Sequence, residues 1–156
     1  MRLTGRRAAL AVAVPLAAAA FATPAPAADD DVRYAGETED GREVKLVANR
    51  HGAVQRGAIT TETSCTGGYD PFRARVEFHS PLDRTGPRGF KDAGGFLEED
   101  DRFSGRYRYK VKGERESERV LVGEISLEIV FRRDGEEYTT CSAEKVVFSA
   151  KRKAEE

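Results

Sequence analysis

Arg119-Val120-Leu121-Val122-Gly123-Glu124-Ile125-Ser126-Leu127-Glu128-Ile129-Val130-Phe131 decides the fold class. Leu121, Ile125, Leu127, Ile129 and Phe131 share one side of an extended chain with Gly123, while Glu124, Ser126 and Glu128 take the other. That period of two is the mark of a half-buried strand. Its length suits a long, bent or twisted one.

Working outward, Asp134-Gly135 supplies type I′ turn chemistry into a strand over 136–141. A last strand over 144–150 turns Val146, Phe148 and Ala150 inward. Upstream, residues 113–118 read as a polar turn, and 102–111 alternates Phe103, Gly105, Tyr107, Tyr109 and Val111 against Arg102, Ser104, Arg106, Arg108 and Lys110. Residues 80–89, with Pro81, Gly86, Pro87 and Gly89, read as an exposed loop, followed by weaker strand material around Phe90 and Phe96-Leu97. Residues 72–78 alternate with Phe72, Ala74, Val76 and Phe78 on a core face.

Three strands come earlier: 32–38, 42–48 after the Glu39-Asp40-Gly41 turn, and 53–65 after Asn49-Arg50-His51-Gly52. Within the third, Val54 is out of phase with Ile59, Thr61 and Thr63, which points to a β-bulge near Gly57. The sum is about eight strands and no helix. Strands joined by tight turns pair antiparallel, so the fold expected is all-β, a β-sandwich or a small β-barrel in one domain over 28–156.

Residues 1–27 carry Arg2, Arg6 and Arg7, then an apolar run from Ala8 to Phe21, then Ala25-Pro26-Ala27. That is the order of a secretory signal peptide, with Arg6-Arg7 also admitting the twin-arginine route. A cleaved signal makes the mature chain secreted or extracytoplasmic, with no stable membrane insertion. It leaves 23 basic against 27 acidic residues, a net charge of about −4. The basic residues stand singly among acidic ones in the sequence, so nucleic acid is not an expected partner.

Cys65 and Cys141 are the only cysteines. Outside the cytoplasm thiols are oxidised, so the two are expected to form one disulfide. The rival reading, a nucleophilic Cys141, lacks a neighbouring base, since His51 and His79 are both distant in sequence. Two histidines and a committed cysteine pair leave no zinc-type spacing, and no metal or cofactor is expected. His79-Ser80 has no nucleophile elbow around it, and the acidic run Glu98-Glu99-Asp100-Asp101 lacks the alternating ligands and central glycine of a calcium loop. No catalytic residue is assigned.

Tyr34-Ala35-Gly36-Glu37-Thr38, Phe103-Ser104-Gly105-Arg106-Tyr107, Gly123-Glu124-Ile125 and the segment from Cys141 to Ala150 resemble a group of small exported bacterial β-domains without assigned chemistry. The resemblance implies fold and export only. The function expected is a non-catalytic binding or structural module. A lipocalin-like small-molecule carrier and a small carboxylate-dependent hydrolase are the alternatives. Tyr69 and Asp70, in the glycine-rich loop 66–71, form the candidate ligand loop; the chain has no tryptophan.

Overall fold

The computed structural model describes residues 31–79 and 81–154, so the signal-peptide reading lies outside the described residues. Nine strands run in chain order: β1 (Val32–Thr38), β2 (Glu43–Ala48), β3 (Val54–Cys65), β4 (Phe72–Phe78), β5 (Asp83–Thr85), β6 (Gly89–Glu99), β7 (Phe103–Ser117), β8 (Val120–Arg133) and β9 (Glu136–Arg152). All pairings are antiparallel, and they join into a single sheet ordered β4-β3-β2-β1-β9-β8-β7-β6-β5. The fold is all-β. It is one continuous sheet, and the choice between sandwich and barrel resolves into a sheet that rolls up.

β9 is what rolls it. Along one edge it pairs with β8 throughout. On the other edge it pairs with β1 at residues 148–152 and with β3 at Ser142 and Cys141. β1, β2, β3 and β9 therefore form a closed ring, and β4 and β5–β6 remain as edges. The change of partner coincides with a bulge: the β8–β9 register slips between Ile125 and Leu127, and Lys145 opposite takes a left-handed φ of 51°. An inserted residue bends and twists its strand, which lets β9 hand its edge from one neighbour to the next.

Alternation fills the core. Leu121, Ile125, Leu127 and Ile129 of β8 are buried, as are Val44, Leu46 and Ala48 of β2 and Ala74, Val76 and Phe78 of β4. The phase change in β3 is present but falls at Gln55, whereas Gly57, where a bulge is expected from the sequence, pairs in register with Leu46. Residues 47/48 of β2 slip against 56/54 of β3, so Val54 and Ile59 both reach the interior from opposite parities.

Five expectations need correction. The predicted turn at 113–118 is strand: β7 runs on to Ser117, and Gly113 sits directly opposite Gly123 of β8. A Cβ at Gly113 would lie 2.5 Å from Phe90 Cζ, and one at Gly123 would lie 2.5 Å from Phe148 Cζ. The paired glycines seat two aromatic rings against bare backbone, which is why a mid-strand glycine here is no turn signal. The predicted loop at 80–89 contains β5 and the buried Leu82, whose N–H donates to the Val54 carbonyl. The weak strand material from Phe90 to Leu97 is one strand, β6, and the segments at 136–141 and 144–150 are one strand, β9. Phe72 shares the inward face of β4 but is 38% exposed, because β4 ends there at the mouth of the sheet.

Candidate functional site

Cys65 and Cys141 are directly opposed on β3 and β9 and are bonded, with Cα atoms 4.0 Å apart. Such a short separation belongs to facing residues of an antiparallel pair. No cysteine is free among the described residues, so Cys141, 1% exposed, is structural and no nucleophile. The loop that follows Cys65 is fastened to β9 as well. Thr139 Oγ1 donates to the Thr66 carbonyl at 2.9 Å, and the Thr140 N–H donates to Thr66 Oγ1 at 3.1 Å. Gly67 and Gly68 then both adopt φ near +75°, a region that only glycine enters without strain, and turn the chain so that Tyr69 stands over β9.

That turn delivers Tyr69 to an aromatic cluster. Its ring meets Tyr138 of β9 edge to face at 5.6 Å. Tyr138 in turn contacts Phe103 at 6.3 Å and Phe131 at 6.2 Å, and Phe131 takes the edge of Phe72 at 5.3 Å. Deeper in, Tyr107 reaches Phe131 at 6.5 Å and stacks on Phe96 at 4.3 Å. Tyr69, Phe72, Phe103 and Tyr138 are four of the six most exposed large apolar side chains among the described residues, at 38–52%. Singly exposed apolar residues are ordinary, but a contiguous group drawn from the loop and the ends of β4, β7, β8 and β9 is a candidate interaction surface.

The rim of the cluster is polar. Arg102 donates from Nε and Nη2 to the Asp134 carboxylate, at 3.2 and 3.1 Å, and Arg133 lies 5.4 Å from the Phe103 ring centre. Asp100 accepts the backbone N–H groups of Arg102 and Phe103, which hold its carboxyl below the usual aspartate range and fix the turn that presents Phe103. Of the acidic run at 98–101, Asp100 builds the turn, while Glu98 and Glu99 close β6. Among the described residues the phenol groups of Tyr69 and Tyr138 make no protein hydrogen bond, nor does the Asp70 carboxylate, which is exposed beside Tyr69.

Behind the cluster, Tyr107 donates to Glu98 and Tyr109 to Asp92, each at 2.9 Å. Burial, reinforced by the bond to Asp92, pushes the Tyr109 phenol up to about 12, and the same two causes raise Tyr107 further. Both phenols therefore stay protonated and act as struts between β6 and β7. His51 sits in its turn, where Asn49 Oδ1 accepts the His51 and Ala53 N–H groups. His79 is exposed, 3.6 Å from Glu77; Ser80 lies outside the described residues. No group of three or more histidine, cysteine or acidic side chains that could hold a metal occurs among the described residues.

The structure joins Tyr69 to partners that the sequence does not single out. Phe72, Phe103 and Phe131 read as core because they keep the inward parity of their strands. All three stand near strand ends, where the opposite wall of the sheet runs out and the inward face opens to solvent. Comparison with known proteins finds no matching family model, no matching curated protein and no matching solved structure, so the functional reading rests on this geometry.

Proposed function

We propose that the chain is an exported, non-catalytic binding domain that grips a saccharide with the aromatic cluster of Tyr69, Phe72, Phe103 and Tyr138. The single observation that carries this is the convergence of five chain segments on one set of half-exposed rings in mutual edge contact. Edge contacts between neighbours leave ring faces turned outward, and an aromatic face is a good seat for the C–H face of a pyranose. The unpaired phenol groups and the charged rim at Arg102, Arg133, Asp134 and Asp70 supply hydrogen bonds for sugar hydroxyls, as specific sites combine an apolar floor with a few placed polar groups. The disulfide fits an oxidising compartment. No helix among the described residues is long and apolar enough to cross a membrane. The interior is packed with Phe148, Leu46, Ile59 and Ile125 at 0–1% exposure, which favours a surface site over an internal carrier cavity.

The test is aromatic and amide NMR of the folded chain, titrated with soluble gluco-oligosaccharides and N-acetylglucosamine oligomers. Shifts should concentrate on Tyr69, Phe103 and Tyr138, and the double variant Tyr69→Ala/Tyr138→Ala, with an unchanged β-sheet circular dichroism spectrum, should bind at least about tenfold more weakly. Absence of binding, shifts elsewhere, or concentration-dependent self-association through the cluster would overturn the assignment.

A further inference from the structure

The sheet has two open edges, and only one of them is guarded. The free part of β6 carries Asp92 and Glu98 on its inward parity, each holding a tyrosine phenol, with Gly94 and Gly95 between them. Inward acidic residues and mid-strand glycines discourage a further strand from pairing. β4 has no such protection. Residues 72–78 contain no proline, lysine or glycine, their register against β3 is unbroken, and Ala74, Val76 and Phe78 are buried on the inward face.

The direction of each β4 amide follows from the ladder. The Thr38 N–H donates to the Arg42 carbonyl across the β1–β2 turn, so even-numbered residues of β2 bond to β1 and odd-numbered ones to β3. The Asn49 N–H, which donates to the Ala53 carbonyl, keeps that order. On β3, Ala58 and Arg56 stand opposite Lys45 and Val47 and turn to β2, which leaves Gly57, Ile59, Thr61 and Thr63 for β4. Glu62 agrees, since its N–H points back to Asp40 Oδ2 at 2.8 Å. Phe72, Ala74, Val76 and Phe78 therefore spend their backbone groups on β3. The N–H and C=O groups of Arg73, Arg75 and Glu77 point off the sheet, with no backbone partner among the described residues.

We infer that a second copy of the chain pairs with this edge, β4 against β4, antiparallel about a two-fold axis at Arg75. That register sets Arg75 opposite Arg75 of the second copy and Arg73 opposite its Glu77, at both ends of the seam. All three are hydrogen-bonded positions with two bonds to a pair, so every outward group of both strands is used. Sliding the copies until Arg75 faces Glu77 leaves Arg73 without a partner on the strand, and the opposite slide sets Arg73 against Arg75 twice. Charge selects the same register. Arg73 has no ion pair among the described residues and gains a carboxylate, twice over by symmetry. The two Arg75 groups oppose each other, but each already donates to its own Glu77 at 2.7 Å and to Glu43 at 3.3 Å, the latter shared with Lys45. On the inward side Phe72 meets Phe78 and Ala74 meets Val76, so the apolar face runs on across the seam.

The experiment is sedimentation velocity of the folded chain from about 5 to 500 µM, a range suited to the small interface of one strand pair, together with amide exchange. Expected are a monomer–dimer equilibrium that stops at two copies, and exchange at Arg73, Arg75 and Glu77 that slows as concentration rises. Arg75→Pro should abolish the dimer and leave the monomer folded, because the N–H it removes makes no bond within the sheet. Arg73→Glu should raise the dissociation constant at least about tenfold, and the swap Arg73→Glu/Glu77→Arg should restore it to within about threefold. Tyr69→Ala/Tyr138→Ala should leave dimerisation unchanged, which separates this edge from the saccharide cluster. A chain still monomeric at about 500 µM, association that runs past the dimer as β4-to-β6 pairing would, protection confined to other amides, or a dimer indifferent to Arg73→Glu would overturn the inference.

Discussion

Breaking the Cys65–Cys141 bond should cost the domain a large part of its stability. The two residues are 76 apart in sequence, and the chain they enclose includes β4 to β8 entire. In the chain-entropy treatment, closing a loop of that size removes about 15 cal/mol/K from the unfolded ensemble, or about 4.5 kcal/mol at 25 °C. The measured loss should fall between about 3 and 5 kcal/mol, since the bond also holds a ladder that is only two residue pairs long, Ser64–Ser142 and Cys65–Cys141. Urea unfolding of the oxidised protein, the same protein under reductant, and Cys65→Ala/Cys141→Ala gives the free energies. Amide exchange at Ser64 and Ser142 reports whether the β3–β9 seam opens first. A loss under about 1 kcal/mol in both reduced forms would refute the reasoning and mean that the ring of β1, β2, β3 and β9 holds itself closed.

Leu127→Ala should destabilise by about 2–5 kcal/mol and Glu128→Ala by under about 0.5, because Leu127 is buried and Glu128 is exposed; thermal melts that reverse this order would contradict the observed strand faces. Gly123→Ala should cost about 1–3 kcal/mol by forcing a methyl group onto both the Lys112 carbonyl oxygen and the Phe148 ring, and Phe148→Leu should recover only the ring's part of that loss in the double variant. The raised Tyr109 phenol gives a pH dependence. The folded state keeps a proton that the unfolded state releases near pH 10, so this contribution is complete below pH 10 and is lost as pH rises toward about 12. Tyr109→Phe should show a shallower alkaline fall in denaturation midpoint between pH 10 and 12, and an identical slope would exclude the strut role.

Local pattern carried the all-β class, the inward residues of β2, β4 and β8, the bulge in β3 and the Asp134-Gly135 turn, where both residues take positive φ. These are short-range matters of parity and turn chemistry, and a sequence states them directly. What it obscures depends on distant neighbours. Gly113 looks like punctuation unless Phe90 is known to lie across it. Leu82 looks like loop until Val54 offers it a carbonyl. The site divides the same way. Tyr69 stood out for its glycine-rich loop, whereas Phe72, Phe103, Phe131 and Tyr138 became visible only once rolling of the sheet brought that loop and four strand ends together.

The long strand β9 also sets how the molecule can be displayed. Its first residues carry Tyr138 into the aromatic cluster, and its last lie beside β1, with Arg152 opposite Tyr34 and the Lys153 N–H donating to the Arg33 carbonyl at 2.8 Å. The fifteen residues from Tyr138 to Arg152 span up to about 45 Å of extended chain. Both ends of the described chain thus leave from one corner, and the cluster looks out from the far one. A tether at either end would act as a stalk, holding the rings away from whatever surface anchors it. Joining the two ends with a short linker and reopening the chain at Asp134-Gly135 would move the tether next to the rings instead.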